Sequence, residues 1–126
     1  MEDFTQSGLI AIADGDYDTA IDLLNKAINK DEKSYKANLL RGIAYSNKGD
    51  YPKAIVDFNN AEKLRNENEN DEFYYFRGKT YFYNQQIFEA KKDLEKYTKT
   101  NDVKNNVTVK EPQTPRTANA KTIYDL

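Results

Sequence analysis

The sequence reads Gly-Asp-Tyr-x-x-Ala-Ile at residues 15–21 and repeats the same letters at residues 49–55, 34 positions further along the chain. A glycine stands seven positions before each copy, at Gly8 and Gly42. A third and weaker copy follows a two-residue insertion and keeps four of the repeated positions, at Gly78, Tyr81, Ala90 and Leu94. A unit that recurs at a fixed period predicts a solenoid, whose units stack on their neighbours and offer an extended surface to a partner.

The period divides the chain into three units and a remainder. We expect two helices in each unit, with the units at residues 1–34, 35–68 and 71–104. The polar run from Arg65 to Asn70 accommodates the two extra residues as a loop or an extended helix end. Residues 105–126 contain Pro112 and Pro115 and show little helical periodicity, so we expect a linker or tail there.

The composition argues against several classes of function. The 126 residues include neither cysteine nor histidine, which leaves no disulfide bond, cysteine nucleophile, histidine general base or usual zinc ligand. The 19 basic and 21 acidic residues nearly cancel, which argues against a nucleic acid or an anionic membrane as the partner. We therefore expect a non-enzymatic protein with no cofactor, no metal site, no nucleic-acid partner and no membrane partner.

The start of the chain bears on its location. Met1-Glu2-Asp3 is acidic where a signal peptide would be basic, and Asp14 ends the short apolar stretch from Leu9 to Ala13. No run approaches the roughly 18 apolar residues that cross a bilayer. The absence of cysteine fits a reducing compartment. These observations predict a soluble, cytoplasmic protein.

The second unit shows its two predicted helices most clearly. Between Tyr35 and Lys48, apolar or small residues recur at a helical rather than an alternating spacing. Gly49 interrupts the pattern, and Asp50 belongs to the residue types that cap a helix by accepting a hydrogen bond from a free backbone N–H. Pro52 then falls in the first turn of the next helix, where its missing N–H costs nothing.

Small residues recur where the two helices of each unit are expected to cross. They are Gly8, Gly42 and Gly78 on the first helices, and Ala20, Ala54 and Ala90 on the second helices. Since the spacing of packed helices depends on the side chains at their crossing, these residues predict a close approach within each pair. A bulky side chain at such a position is expected to overpack the crossing.

These spacings resemble the tetratricopeptide repeat, a helix-turn-helix unit with the pattern W-x2-L-G-x2-Y … A-x3-F … P. The second unit matches best and keeps Gly42, Tyr45, Ala54 and Phe58. It departs from the pattern at Asn38, Arg41 and Asn66, which replace Trp, Leu and Pro. The resemblance covers about residues 1–104. It implies an all-α, right-handed α-α superhelix of three repeats with a C-terminal extension, acting as a protein-interaction adaptor.

In tetratricopeptide arrays, one face of the first helices lines a concave groove. Carried over by position, the resemblance implies a peptide-binding site that is mainly aliphatic and aromatic: Leu9, Ile12, Leu39, Ile43, Asn47, Tyr75, Lys79, Phe82 and Tyr83. Such a stripe suits an apolar peptide or an amphipathic helix of another protein. The alternative is that these residues pack against one another in a tightly wound array.

One branch of the family binds the C-terminal carboxylate of heat-shock chaperones through a clamp of lysine, asparagine and arginine. The matching positions in this chain are Thr5, Leu9, Leu40, Glu72 and Phe76, and none keeps the clamp residue. The resemblance therefore implies an array without the carboxylate clamp. A co-chaperone-like role stays open, because co-chaperones also use small tetratricopeptide domains that lack it.

The tail provides another occupant for the array. Residues 117–126 are predicted to form a short helix. Five apolar residues are expected to fold back and either cap the third unit or occupy the groove: Val107, Val109, Ile123, Tyr124 and Leu126. A plain linker is the alternative for the tail. For the whole chain, the alternatives are a homodimer through the groove or a terminal unit, and an accessory subunit of a larger complex.

Overall fold

Six α-helices make up the described part of the chain. The computed structural model describes residues 3–66 and 71–104, with side chains up to residue 99. The helices are α1 (Phe4–Ala13), α2 (Tyr17–Lys30), α3 (Tyr35–Lys48), α4 (Tyr51–Leu64), α5 (Glu72–Tyr83) and α6 (Ile87–Lys104). The all-α class is confirmed, and α3 has the bounds predicted for that helix. The tail, with its predicted helix at residues 117–126 and its five apolar residues, lies outside the described residues.

Side-chain caps begin four of these helices. The capping residues Asp3, Asp16, Ser34 and Asp50 accept a hydrogen bond from the backbone N–H three residues later, at 3.1, 3.3, 3.1 and 3.4 Å. Each cap satisfies one of the N-terminal donors that a helix cannot pair internally. The predicted role of Asp50 is confirmed, and Pro52 lies in the first turn of α4 as expected.

The turn between the two helices has the same geometry in all three units. Its central residue has a positive φ, of 80° at Gly15, 96° at Gly49 and 64° at Gln85. The next residue donates its backbone N–H to the carbonyl five positions earlier, at 2.9, 2.8 and 2.8 Å. The left-handed conformation is unfavourable for a residue with a Cβ, so the surrounding structure of the third unit imposes it on Gln85.

Each helix packs on the next one along the chain. A Cβ added to the first-helix glycines would lie 2.6 Å from Leu24 at Gly8, 2.7 Å from Phe58 at Gly42 and 2.9 Å from Leu94 at Gly78. On the second helices, the matching small residues are buried: Ala20, Ala54 and Ala90. The predicted close approach within each helix pair is therefore confirmed.

Two apolar clusters connect the units. The first joins α1, α2 and α3 and contains Ala11, Ala20, Ile21, Leu24, Leu40 and Ala44. The second joins α3, α4 and α5 and contains Tyr35, Leu39, Ala54, Phe58, Ala61 and Phe73. Because each cluster draws on two adjacent units, the burial of apolar surface in one unit depends on the next, as expected for a solenoid.

An arginine of α3 connects the second unit to the first. Arg41 donates from Nε and Nη2 to the two carboxylate oxygens of Asp57 in α4, at 2.8 Å each. Its Nη1 donates to the side-chain oxygen of Asn25 in α2 at 2.9 Å. The hydrogen bonds to Asp57 raise the pKa of the guanidinium, against the opposing effect of burial. Arg41 stands where the tetratricopeptide pattern has leucine, and its side chain links two units.

An arginine of α5 makes the corresponding link from the third unit to the second. Arg77 donates to both oxygens of Asp93 in α6, at 2.7 and 3.0 Å. It also reaches Asn59 and Glu62 of α4, at 2.9 and 2.8 Å. Burial lowers the pKa of Arg77, but the hydrogen bonds and charges of Asp93 and Glu62 outweigh it, so the pKa lies above its ordinary value.

Candidate peptide-binding face

The first helices of the three units form one layer, since α1 contacts α3 and α3 contacts α5. We call the outer surface that these helices share the first-helix face. All nine residues predicted for peptide binding lie on the three helices. The exposed ones are Asn47, Lys79 and Tyr83, and the half-buried ones are Leu9, Ile12, Ile43, Tyr75 and Phe82.

The ninth residue, Leu39, belongs to the core. Its side chain is 5% exposed and lies in the second apolar cluster beside Phe58. Leu9, Ile12 and Ile43 pack against the first cluster with part of their surface. The aliphatic residues therefore join the packing between units, and a ligand can reach the open part of all but Leu39.

A small cavity opens between α3 and α5 on this side of the molecule. Its volume is about 100 Å³, and it is lined by Ile43, Ser46, Asn47, Phe58, Phe76 and Lys79. Three of the predicted residues, Ile43, Asn47 and Lys79, therefore come together at one place. The cavity is smaller than the ~300 Å³ or more of a typical small-molecule site, so its size suits a single side chain of a larger ligand.

The lining of this cavity combines apolar walls with a polar rim. Ile43, Phe58 and Phe76 supply aliphatic and aromatic surface, whereas the exposed side chains of Asn47 and Lys79 supply an amide and an ammonium group. An apolar anchor can enter such a site while backbone carbonyls beside it accept hydrogen bonds from the rim. The arrangement therefore fits recognition of a polypeptide.

Aromatic rings of α5 extend the face on either side. The ring of Tyr75 lies 5.3 Å from that of Tyr97 in α6, and the Lys79 ammonium lies 5.3 Å from the Tyr75 ring centre. Tyr83 stacks on Tyr51 of α4 at 6.1 Å but keeps 57% of its side chain exposed. Tyr75 is thus held by its neighbours, whereas more than half of Tyr83 is open to a ligand.

Three cavity residues were not among the predicted site residues. Ser46 and Phe76 lie on the first helices, and Phe76 stands at a position that the chaperone clamp uses. Phe58 belongs to α4 and approaches the first helices through the space that Gly42 leaves beside it. Gly42, together with the helix that crosses it, was therefore the sequence feature that could have placed Phe58 at this cavity.

Residues 11–56 match the tetratricopeptide repeat family. The helices of the described part of the chain have the tetratricopeptide-repeat fold. The first tetratricopeptide domain of human RPAP3 superposes with a TM-score of 0.75 at 24% identity, covering 97% of this chain and 87% of that one. Spaghetti (RPAP3), whose first such domain was solved bound to the HSP90 peptide SRMEEVD, gives 0.74 at 24% identity, covering 97% and 90%.

A bacterial secretion chaperone has the same architecture. The translocator chaperone SycD of Yersinia enterocolitica superposes with a TM-score of 0.74 at 12% identity, covering 97% of this chain and 79% of that one. SycD has also been solved in complex with a peptide of the translocator YopD. A sequence comparison with curated proteins gives no match. These similarities between distant sequences establish the tetratricopeptide-repeat fold.

The clamp positions of this chain carry no basic side chain. Leu40 is buried, Thr5, Leu9 and Phe76 are half-buried, and Glu72 is exposed. Without a lysine or arginine at these positions, a terminal carboxylate lacks the charge-assisted hydrogen bonds that such a clamp supplies. These five positions therefore do not form such a clamp.

Within residues 3–66 and 71–104, no helix is both long and apolar enough to cross a membrane. The same residues include no group of three or more His, Cys, Asp or Glu side chains placed to hold a metal ion.

Proposed function

We propose that this tetratricopeptide-repeat protein is a non-enzymatic adaptor that binds an apolar or helical segment of another protein on its first-helix face. The observation that carries the proposal is the cavity of about 100 Å³ between α3 and α5, with its apolar walls and polar rim. One apolar side chain of the partner enters this cavity. The rim groups of Asn47 and Lys79 hold the adjoining backbone.

The other predicted residues extend this contact along the face. Leu9 and Ile12 on α1 and Phe82 and Tyr83 on α5 receive further apolar side chains of the segment. Leu39 acts from the core, where it supports α3. An amphipathic helix presents apolar residues every three or four positions and so can reach the cavity and its flanks together.

Peptide complexes of similar structures support this class of ligand. The Spaghetti domain was solved with an HSP90 peptide, and SycD with a peptide of YopD. Because this chain lacks the clamp cations, we propose an internal apolar segment rather than a C-terminal carboxylate. A cytoplasmic, co-chaperone-like role belongs to the same proposal.

Selection from a random peptide library tests the proposal directly. We expect the full chain to enrich peptides with a common apolar anchor. A Lys79→Glu, Tyr83→Ala double variant changes two exposed side chains of the face and should weaken these peptides about tenfold or more. The matched control is Val56→Asp, at a 58% exposed position of α4. Equal affinity of the double variant and the control would refute the proposal.

Two other occupants of the face are distinguished by further measurements. Light scattering over a wide concentration range detects a homodimer. If the double variant dissociates that dimer, the face serves self-assembly and the adaptor hypothesis is wrong. Deleting residues 105–126 should raise peptide affinity if Ile123, Tyr124 and Leu126 occupy the face. An unchanged affinity would leave the tail as a linker.

A further inference from the structure

A larger and more polar cleft lies where α2, α3 and α4 meet. Its volume is about 430 Å³, within the range of about 300–1,000 Å³ usual for ligand sites. The amides of Asn29, Asn38 and Asn60 contribute to its lining, and Ile28 and Leu64 contribute apolar surface. None of its lining residues belongs to the cavity on the first-helix face. The cleft is therefore a separate feature of the molecule.

Comparison of the three units shows what the second unit lacks at the cleft. One position of the repeat is Phe4 in the first unit, Asn38 in the second and Tyr74 in the third. A second position is, in the same order, Lys26, Asn60 and Lys96. In the first unit the lysine Nζ lies 5.6 Å from the phenylalanine ring centre, and in the third it lies 5.5 Å from the tyrosine ring centre. The second unit replaces both the aromatic ring and the cation with asparagine, and the cleft lies at this place.

Asn38 directs a polar group to this space from an almost fully buried position. Its side chain is 4% exposed, and its Nδ2 donates to the Ser34 carbonyl at 2.9 Å and to the Glu32 carbonyl at 3.5 Å. Among the described residues, no group donates to its Oδ1. Since Asn38 lines the cleft, this oxygen is available to accept a hydrogen bond from a donor that enters there.

We propose that the cleft binds a tyrosine side chain of a partner polypeptide. Its ring takes the place that an aromatic residue occupies in the other two units, between the apolar surfaces of Ile28 and Leu64. Its hydroxyl donates to Asn38 Oδ1 and accepts from the amide of Asn60. One neutral side chain thus supplies both the aromatic surface that the second unit lacks and partners for the two asparagine amides.

The charges around the cleft favour a neutral group over an ionic one. Arg41 lines the cleft, but its guanidinium is paired with Asp57. The remaining charged lining residues, Glu32 and Lys63, have opposite signs. A phenol, which is uncharged at neutral pH, therefore matches the site better than a phosphate, a carboxylate or an ammonium group.

Titration of the full chain with two capped amino acids, followed by NMR, tests this assignment. N-acetyl-tyrosine amide should shift the side-chain amide signals of Asn38 and Asn60 saturably. N-acetyl-phenylalanine amide lacks only the hydroxyl and should bind about three- to tenfold more weakly, the effect of a neutral hydrogen bond. Equal binding of the two probes, or shifts that leave both asparagines unchanged, would overturn the proposal.

Two variants separate occupancy of the cleft from an indirect effect. Asn38→Tyr with Asn60→Lys rebuilds the pair of the third unit inside the chain and should abolish binding of both probes while the helical circular dichroism is retained. Asn60→Ala, at a half-buried position, should weaken the tyrosine probe about three- to tenfold and leave the phenylalanine probe unchanged. Val56→Asp is the matched control. Unaltered tyrosine binding in Asn60→Ala, or in a folded double variant, would contradict the assignment.

Discussion

The contact of α3 with the first unit uses apolar residues at two positions, whereas the matching positions in the contact of α5 with the second unit include a polar residue. Leu40 and Ala44 of α3 belong to the first apolar cluster, and the corresponding residues of α5 are Phe76 and Thr80. The fully buried Thr80 shares a hydrogen bond of 2.7 Å with Ser46 of α3. The same helix arrangement therefore accepts either kind of contact, provided that each buried polar group has a partner.

The arginine that links the second and third units is more buried than the arginine that links the first and second units. The side chain of Arg41 is 22% exposed, whereas that of Arg77 is 8% exposed. Arg77 also pairs with Glu62, at the position where the first unit has Ile28. Since charges in a drier site depend more strongly on their partners, the second interface should be more sensitive to loss of one member of the pair.

The largest effect is expected from Asp93→Leu. Removing the carboxylate leaves Arg77 buried without its main partner, which should cost about 3–5 kcal/mol of unfolding free energy in urea. A double variant, Arg77→Met with Asp93→Leu, should recover most of this loss. The first unit already has Ser7 and Leu23 at these positions, so the fold accepts an uncharged pair there.

Asp57→Leu is the matched variant at the first interface. We expect a smaller loss, because water can reach the more exposed guanidinium of Arg41. Equal losses in Asp57→Leu and Asp93→Leu would mean that the difference in burial has no energetic weight. A double variant at Arg77 and Asp93 that is no more stable than the single one would contradict the pairing argument.

The second prediction tests the packing on which both interfaces rest. In Gly42→Ala, the new Cβ would lie 2.7 Å from the ring of the fully buried Phe58. Overpacking should lower the melting temperature, with a loss of about 1–3 kcal/mol. Gly78→Ala should cost less, because its nearest neighbour is the aliphatic Leu94 at 2.9 Å. A Gly42→Ala variant that gains stability, as helix propensity alone would predict, would show that the ring moves aside freely.

The third prediction concerns the hydroxyl pair of the second interface. Thr80 donates to the Phe76 carbonyl at 2.7 Å, so the bond between the two hydroxyls uses the proton of Ser46. Thr80→Val keeps the shape of the side chain but removes both bonds and should cost about 1 kcal/mol in chemical unfolding. Ser46→Ala in the same chain should recover part of that loss, because no hydroxyl is then left without its partner. Independent, additive losses would argue against the bond.

The smallest effect is expected at the turns. Gln85→Gly relieves the left-handed conformation of a residue with a Cβ and should stabilise the third unit by about 0.5–1 kcal/mol, after allowance for the entropy of glycine. Gly49→Gln makes the opposite change in the second unit and should lower stability. Calorimetry of the two variants checks both signs. Destabilisation by Gln85→Gly would mean that contacts of the glutamine side chain outweigh the strain.

The helices and their caps could be predicted because their signals are local. Gly49, Asp50 and Pro52 act on backbone groups within one or two turns. The start of α4 could therefore be predicted from adjacent residues. Crossing positions such as Gly42 and Ala54 could be recognised because the period repeats them. The burial of one residue of the predicted face could not be read in this way. Position within the repeat placed Leu39 on the open face, but its side chain packs in the core beside Phe58.

By itself, the sequence determined the class of the fold, the number of helix pairs, the small residues at their crossings and the absence of clamp cations. Only the tertiary structure decided that Ile43, Asn47 and Lys79 share a cavity, that Arg41 reaches Asn25 and Asp57, and that a cleft opens beside Asn38. These features join residues on different helices. They depend on distances set by packing, whereas local patterns specify only the conformation and the buried stripe of each helix.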